Sequence, residues 1–241
     1  MKLWAHVFTK QQTDTLMFTS FELGRIAGIP IHLDMMFVLV LLVFSYPYFT
    51  SGNTQMMSAG FVIVIGLLLS ILLHELGHAF AGWLFKAHVS HIELTGLGGI
   101  AHFERSLPAS AFARSMISLA GPAVNLVLWL GLAEVANMAV GSGNMMVALP
   151  LAVLSSANFF LIVFNLLPAY PLDGGHTLDA WLGALFGSIW ATRIVASLGL
   201  VIAVLVALYA LPKAAFFLLL VALFIAQANW EALRGVGGWR R

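Results

Sequence analysis

No cysteine occurs among the 241 residues. Its absence excludes a disulfide framework and thiolate metal ligands, so a metal would have to be held by His, Asp or Glu. Charge is scarce too: Asp, Glu, Lys and Arg make up 9% of the chain, where a soluble domain carries about 25%. The formal net charge of +1 offers no basic surplus that would argue for a nucleic-acid partner. Residues 1–20 lack a basic segment followed by an apolar one, which argues against a cleaved signal peptide. What the chain has instead is hydrophobicity, at 61% of residues. That balance predicts an all-α polytopic membrane protein with the lipid bilayer as its solvent.

A bilayer-spanning helix needs about 20 mainly apolar residues. Six segments fit, at roughly 33–49, 57–85, 111–140, 147–167, 191–211 and 214–233. They form a single transmembrane domain over 1–241, with no repeat and no appended soluble domain. The stretch His176 to Ser188 is either a short interfacial helix or an extension of the fifth span. Six spans put both termini on one side, with the loops joining spans two to three and four to five. That side carries Lys2, Lys10, Arg25, Lys86, Arg105, Arg114, Arg193, Arg234, Arg240 and Arg241, whereas the other carries only Lys213. The positive-inside rule then predicts cytoplasmic termini. Trp181, Trp190, Trp230 and Trp239 suit an interfacial aromatic belt.

The loop 86–105 is different in character. Val89, Ile92 and Leu94 are β-prone or apolar, Gly96-Leu97-Gly98-Gly99 signals a turn, and Ile100-Ala101-His102-Phe103 follows, which predicts a short hairpin. Gly28 to Leu33 is a candidate for a further strand. A small sheet beside a membrane must have its edges paired or wet, which a polar cavity would satisfy. His88, His91 and His102 read here as surface polar groups, because they lack the helix-face spacing of ligands.

Inside the second span lies His74-Glu75-Leu76-Gly77-His78. HExxH on a helix puts two imidazoles about one turn apart on one face, the spacing of two ligands to one zinc, with the glutamate as general base. Two histidines and a carboxylate inside an apolar span need one another, water or a metal as partners. A catalytic zinc keeps three protein ligands, so a third is required. Glu134 and Asp34 are isolated candidates. Asp173 follows a span broken by Pro168 and Pro171, and a broken helix at membrane depth must be packed in protein or line an aqueous cavity. A solvated aspartate in a helix-ending turn explains it equally well.

The chain resembles the site-2 protease family of intramembrane zinc metalloproteases, in its compact prokaryotic branch. The resemblance rests on His74 to His78, on Asn165-x-x-Pro168-x-x-x-x-Asp173-Gly174, on Gly121-Pro122-x-x-Asn125, and on the segment around Leu97 to Ile100. It implies one Zn2+ per chain, ligated by His74, His78 and Asp173, with Glu75 activating a zinc-bound water. It implies that Asn125 and Asn165 line the site, either one a donor to the developing oxyanion. It places the protein in a prokaryotic inner or plasma membrane. No PDZ insertion or C-terminal cystathionine-synthase-type pair is recognisable, so regulation through such modules is not expected.

The expected activity is hydrolysis of peptide bonds within or near the transmembrane segment of a single-span protein. A helical substrate hides its carbonyls, so an edge strand including Gly98, Gly99 and Ile100 would hold an extended one by β-augmentation. The competing expectation is a polytopic metal transporter using the same His and Asp ligands. A transporter needs ligands but no base, so Glu75 separates the two. His176, close to Asp173, is a candidate for supporting that ligand. Oligomeric state is not readable from the sequence.

Overall fold

The computed structural model describes residues 20–96, 98–104 and 107–237; Lys2, Lys10, Leu97, Arg105, Trp239, Arg240 and Arg241 lie outside them. The order of elements is β1 (Phe21–Ile26), β2 (Ile29–Leu33), α1 (Met35–Phe49), α2 (Thr54–Leu84), β3 (Val89–Thr95), β4 (Gly98–Phe103), α3 (Ala111–Gly141), α4 (Met145–Asn165), α5 (Asp173–Phe186), α6 (Ser188–Ala210) and α7 (Phe216–Gly237). A short 3-10 turn, Leu211–Lys213, follows α6.

Among the described residues, five helices are long and apolar enough to cross a bilayer: α2, α3, α4, α6 with its 3-10 turn, and α7. The multi-pass helical fold is as expected from composition, and the small sheet as expected from the pattern of 86–105 and Gly28 to Leu33. The sixth apolar helix, α1, is shorter. Its 15 residues rise about 22 Å at 1.5 Å each, less than the ~30 Å hydrocarbon thickness. Many large apolar side chains point outward, Val127 at 72% exposure and Phe216 at 76% among them. Such a surface suits lipid and would be an aggregation liability in water.

The chain divides into two compact units. The first draws its described residues from Thr13–Glu104 and Ala120–Val163, the second from Arg105–Leu119 and Phe164–Arg241.

In the first unit the strands form one sheet in the order β1-β2-β3-β4. β1 and β2 are antiparallel, β2 and β3 parallel, and β3 and β4 antiparallel. Ala27 and Gly28 join β1 to β2, both at positive φ, the geometry of a tight hairpin turn. Side chains alternate across the sheet. Ile31, Leu33, Ile92 and Leu94 therefore face a core shared with Phe37 and Leu41 of α1 and Leu72 of α2. His32, His91 and Glu93 fall on the other face. Asp34 caps α1, its Oδ1 accepting from Met36 N–H at 2.8 Å. That role removes it from the set of third-ligand candidates, and Glu134 on α3 is exposed.

In the second unit, α5 is a helix of its own, separated from α6 by Gly187 at φ 85°. This resolves the open reading of His176 to Ser188 in favour of a short separate helix. Ala169 and Leu172 pack with Ala203, Val221 and Ile225. The segment leading to Asp173 is fixed through its backbone. Asn229 of α7 accepts from Tyr170 N–H at 3.1 Å, and its Nδ2 donates to Tyr170 O at 2.7 Å. Gly199 of α6 makes room for this, since a Cβ there would lie 2.5 Å from Asn229 Nδ2. The Tyr170 hydroxyl donates to Asp179 Oδ1 at 2.7 Å, and Thr192 donates to the same oxygen at 3.4 Å. Arg114 Nη1 lies 3.9 Å from Asp179 Oδ2. Burial pushes the Asp179 carboxyl above its ordinary pKa against the opposing pull of Tyr170 and Arg114. Burial and then the Asp179 charge push the Tyr170 hydroxyl well above its own.

Candidate metal centre

The histidine pair sits in the later half of α2. His74, Glu75 and His78 are 6%, 4% and 7% exposed. The Nε2 atoms of His74 and His78 are 3.1 Å apart, and their rings meet edge to face with centroids at 4.7 Å. Two ligand atoms each about 2.1 Å from one tetrahedral ion stand roughly 3.4 Å apart. The pair is thus close to the separation that a shared zinc requires. One donor atom each from His74, Glu75 and His78 lie within 4.8 Å of one another, a grouping able to hold a metal ion.

The tautomer of His74 follows from its partner. His74 Nδ1–H donates to Asn125 Oδ1 on α3, which leaves the Nε2 lone pair directed at His78 Nε2. Asn125 is held in turn. Its Nδ2 donates to Asn158 Oδ1 at 2.7 Å, and Asn158 Nδ2 donates to Ser70 Oγ at 3.0 Å and Leu154 O at 2.8 Å. Both asparagines are fully buried. An amide bonded to His74 at its carbonyl and to Asn158 at its nitrogen orients the His74 ring. Ser70 and Asn158 were not singled out from the sequence. Their signal was a polar side chain inside an apolar span, with Ser70 one turn before His74.

Two glycines let the helices approach. A Cβ at Gly121 would lie 2.6 Å from His74 Nε2, and one at Gly77 would lie 2.8 Å from Ala120 O. The Gly121-Pro122-x-x-Asn125 pattern thus has a physical meaning. Gly121 leaves space beside the imidazole nitrogens, and Asn125 follows one turn later. From the sheet, Gly99 of β4 lies against the carboxylate, where a Cβ would be 2.6 Å from Glu75 Oε1. β4 is a sheet edge, with β3 on one side only. Gly98 carries φ +136°, which suits glycine, and Ile100 is 46% exposed.

Asp173 and Asn165 belong to the second unit. Asp173 is the first residue of α5, its Oδ2 shielded from solvent, and Asn165 is the last residue of α4. His176 packs edge to face on Tyr170, with ring centroids at 5.5 Å. Gly174 and Gly175 allow the tight passage into α5, since a Cβ on Gly174 would lie 2.7 Å from Leu167 O.

The strand histidines depart from expectation. His88 is exposed, but His91 and His102 are half-buried and stacked on one another at 4.3 Å. A register shift between Val89 and His91 sets His91 opposite His102. Desolvation, then the proximity of His102 and His32, hold the His91 imidazole below its ordinary pKa.

Peptidase family M50 matches residues 62–143 and 130–208, more than half of the chain. The zinc metalloprotease MJ0392 of Methanocaldococcus jannaschii is 34% identical over 209 residues, covering 86% of this chain and 58% of that protein. A relative from Synechocystis sp. is 30% identical over 241 residues, covering 90% of this chain and 61% of its own length. The chain spans about three fifths of the length of these curated relatives. Among solved structures, a site-2 protease from Methanocaldococcus jannaschii superposes with a TM-score of 0.66 at 28% identity, covering 89% of this chain and 95% of that one.

Proposed function

Because the chain belongs to peptidase family M50, we propose that it is an intramembrane zinc metalloprotease that cleaves within or near the transmembrane segment of single-span proteins. The observation that carries this reading is the pair of buried Nε2 atoms 3.1 Å apart in a membrane-length apolar helix, with a carboxylate beside them. The names of the relatives support zinc as the metal. His74 and His78 supply two ligands and Asp173 the third. A bound zinc supplies Lewis acidity, which polarises a carbonyl and makes water acidic enough to react near neutral pH.

The residues then divide the work. Asn125 holds His74 in the tautomer that presents Nε2. Glu75 takes the proton of the attacking water and returns it to the leaving amine. The free edge of β4, at Gly98, Gly99 and Ile100, receives an extended substrate strand, and its hydrogen bonds replace those lost when the substrate helix unwinds. The closeness of Gly99 to Glu75 supports this, because a strand docked there runs past the base. Asn165 would donate a hydrogen bond to the developing oxyanion. With the short α1 counted as a sixth crossing, the distribution of basic residues supports cytoplasmic termini.

The test compares wild type with Glu75→Gln, measuring bound zinc and cleavage of single-span substrates in liposomes. The protease reading expects zinc retained in both and cleavage lost in the variant. Equal cleavage by the two would refute it, and zinc flux unaffected by Glu75→Gln would favour a transporter.

A further inference from the structure

The geometry points to a second divalent-metal site, on the face of the sheet opposite its hydrophobic core, ligated by His91, Glu93 and His102. One donor atom from each lies within 4.8 Å of the others, the same grouping that the α2 centre displays. The three come from two strands by the rules of sheet geometry. His91 and Glu93 are two apart on β3 and so share a face, and His102 of β4 is the cross-strand partner of His91. Ile92 and Leu94, which alternate with them, are fully buried on the core side.

Three details distinguish the cluster from a casual surface grouping. His102 Nε2 is 3.4 Å from Glu93 Oε2, the separation of two ligand atoms about 2.1 Å from one tetrahedral ion. That nitrogen is shielded from solvent and makes no hydrogen bond. A third imidazole, His32 of β2, stands edge-on to His91 at 5.4 Å and is the register partner of Glu93. Two imidazoles and a carboxylate with an open fourth position form the donor set of a zinc-class ion, not of magnesium or calcium, which take oxygen. Ser90 Oγ lies 3.0 Å from His91 Nδ1 and donates to His102 O at 3.0 Å, so it orients the ring from outside the cluster.

A metal here would tie β4 to β3. β4 is the sheet edge whose other face lies against Glu75, so the ion would fix the strand that borders the catalytic carboxylate without touching it. This site is independent of the α2 centre, and each can be lost alone.

The experiment loads the full chain in detergent with Zn2+, removes the excess by gel filtration and counts zinc per chain by mass spectrometry. His91→Gln/His102→Gln is expected to bind one equivalent fewer than wild type. In the His74→Ala/His78→Ala background, adding the same two substitutions is expected to remove one further equivalent. An unchanged count in both backgrounds overturns the site. If the double substitution removes more than one equivalent, Glu93→Gln decides: a loss of one supports the site, and no loss overturns it. Loss of zinc on changing His74 and His78 reports on the α2 centre separately.

Discussion

The two compact units immobilise their polar residues in different ways. In the first, side chain holds side chain: His74, Asn125, Asn158 and Ser70 form a buried relay across three helices. In the second, a side chain holds backbone: Asn229 pairs with both the N–H and the C=O of Tyr170, while Tyr170 and Arg114 hold Asp179. The difference follows from where each functional group is carried. A histidine on a helix already has a fixed backbone, and what remains free is its rotamer and tautomer. An aspartate at the first position of a helix has only that helix's frayed end to hold it, so the chain before it must be fixed as well. In hydrocarbon both solutions also satisfy polar groups that would otherwise cost several kcal/mol, in the range of about 4–8 for transfer without a partner.

The comparison can be broken at either end. The largest effect is expected at the group neither scaffold can replace: Glu75→Gln should lower cleavage about 10²–10⁴-fold while zinc content stays constant, measured by substrate turnover and metal analysis. Next, Asn125→Leu should weaken zinc binding about 10–100-fold, read by competition with a chelator, because His74 loses the acceptor that sets its tautomer. If zinc affinity were unchanged, the relay would be packing alone. In the other unit, Asn229→Ala leaves two buried backbone groups of Tyr170 unsatisfied, at about 1–3 kcal/mol each, and should lower the thermal midpoint more than it alters the α2 histidines. The smallest and sharpest contrast lies within α3. Gly121→Ala should destabilise by about 1–3 kcal/mol, since its Cβ would press on the imidazoles. Gly131→Ala, with nothing within 4 Å, should be neutral or stabilise by roughly 0.5–1 kcal/mol.

Much of this architecture is written in the sequence at the level of period and composition. The apolar runs that became α2, α3, α4, α6 and α7 are long even where Pro122 and Pro150 fall within them, and HExxH needs only helical spacing to be read. α1 was legible almost to its bounds, read at 33–49 and found at Met35–Phe49 with Asp34 as its cap. β1 was missed. Its six residues are all exposed, so no buried face imposes a pattern, and a register shift between Glu22 and Gly24 breaks what alternation remains. Its Ala27-Gly28 turn also lacks the Asn-Gly or Asp-Gly signature. The His91–His102 pairing was hidden for a related reason: the register shift after Val89 decides which residues meet, and register is a tertiary property. The support for His74 reaches Asn125 and Asn158 on other helices, separations that no local pattern encodes.

The central proposal is that the imidazoles of α2 and the carboxylate of Asp173, the first residue of α5, hold one metal. The direct measurement is zinc affinity of Asp173→Ala against wild type, both carrying His91→Gln/His102→Gln so that only the α2 centre is counted. The account predicts a loss larger than the ~10–100-fold expected for removing an outer partner such as Asn125. Full zinc occupancy at unchanged affinity would contradict it.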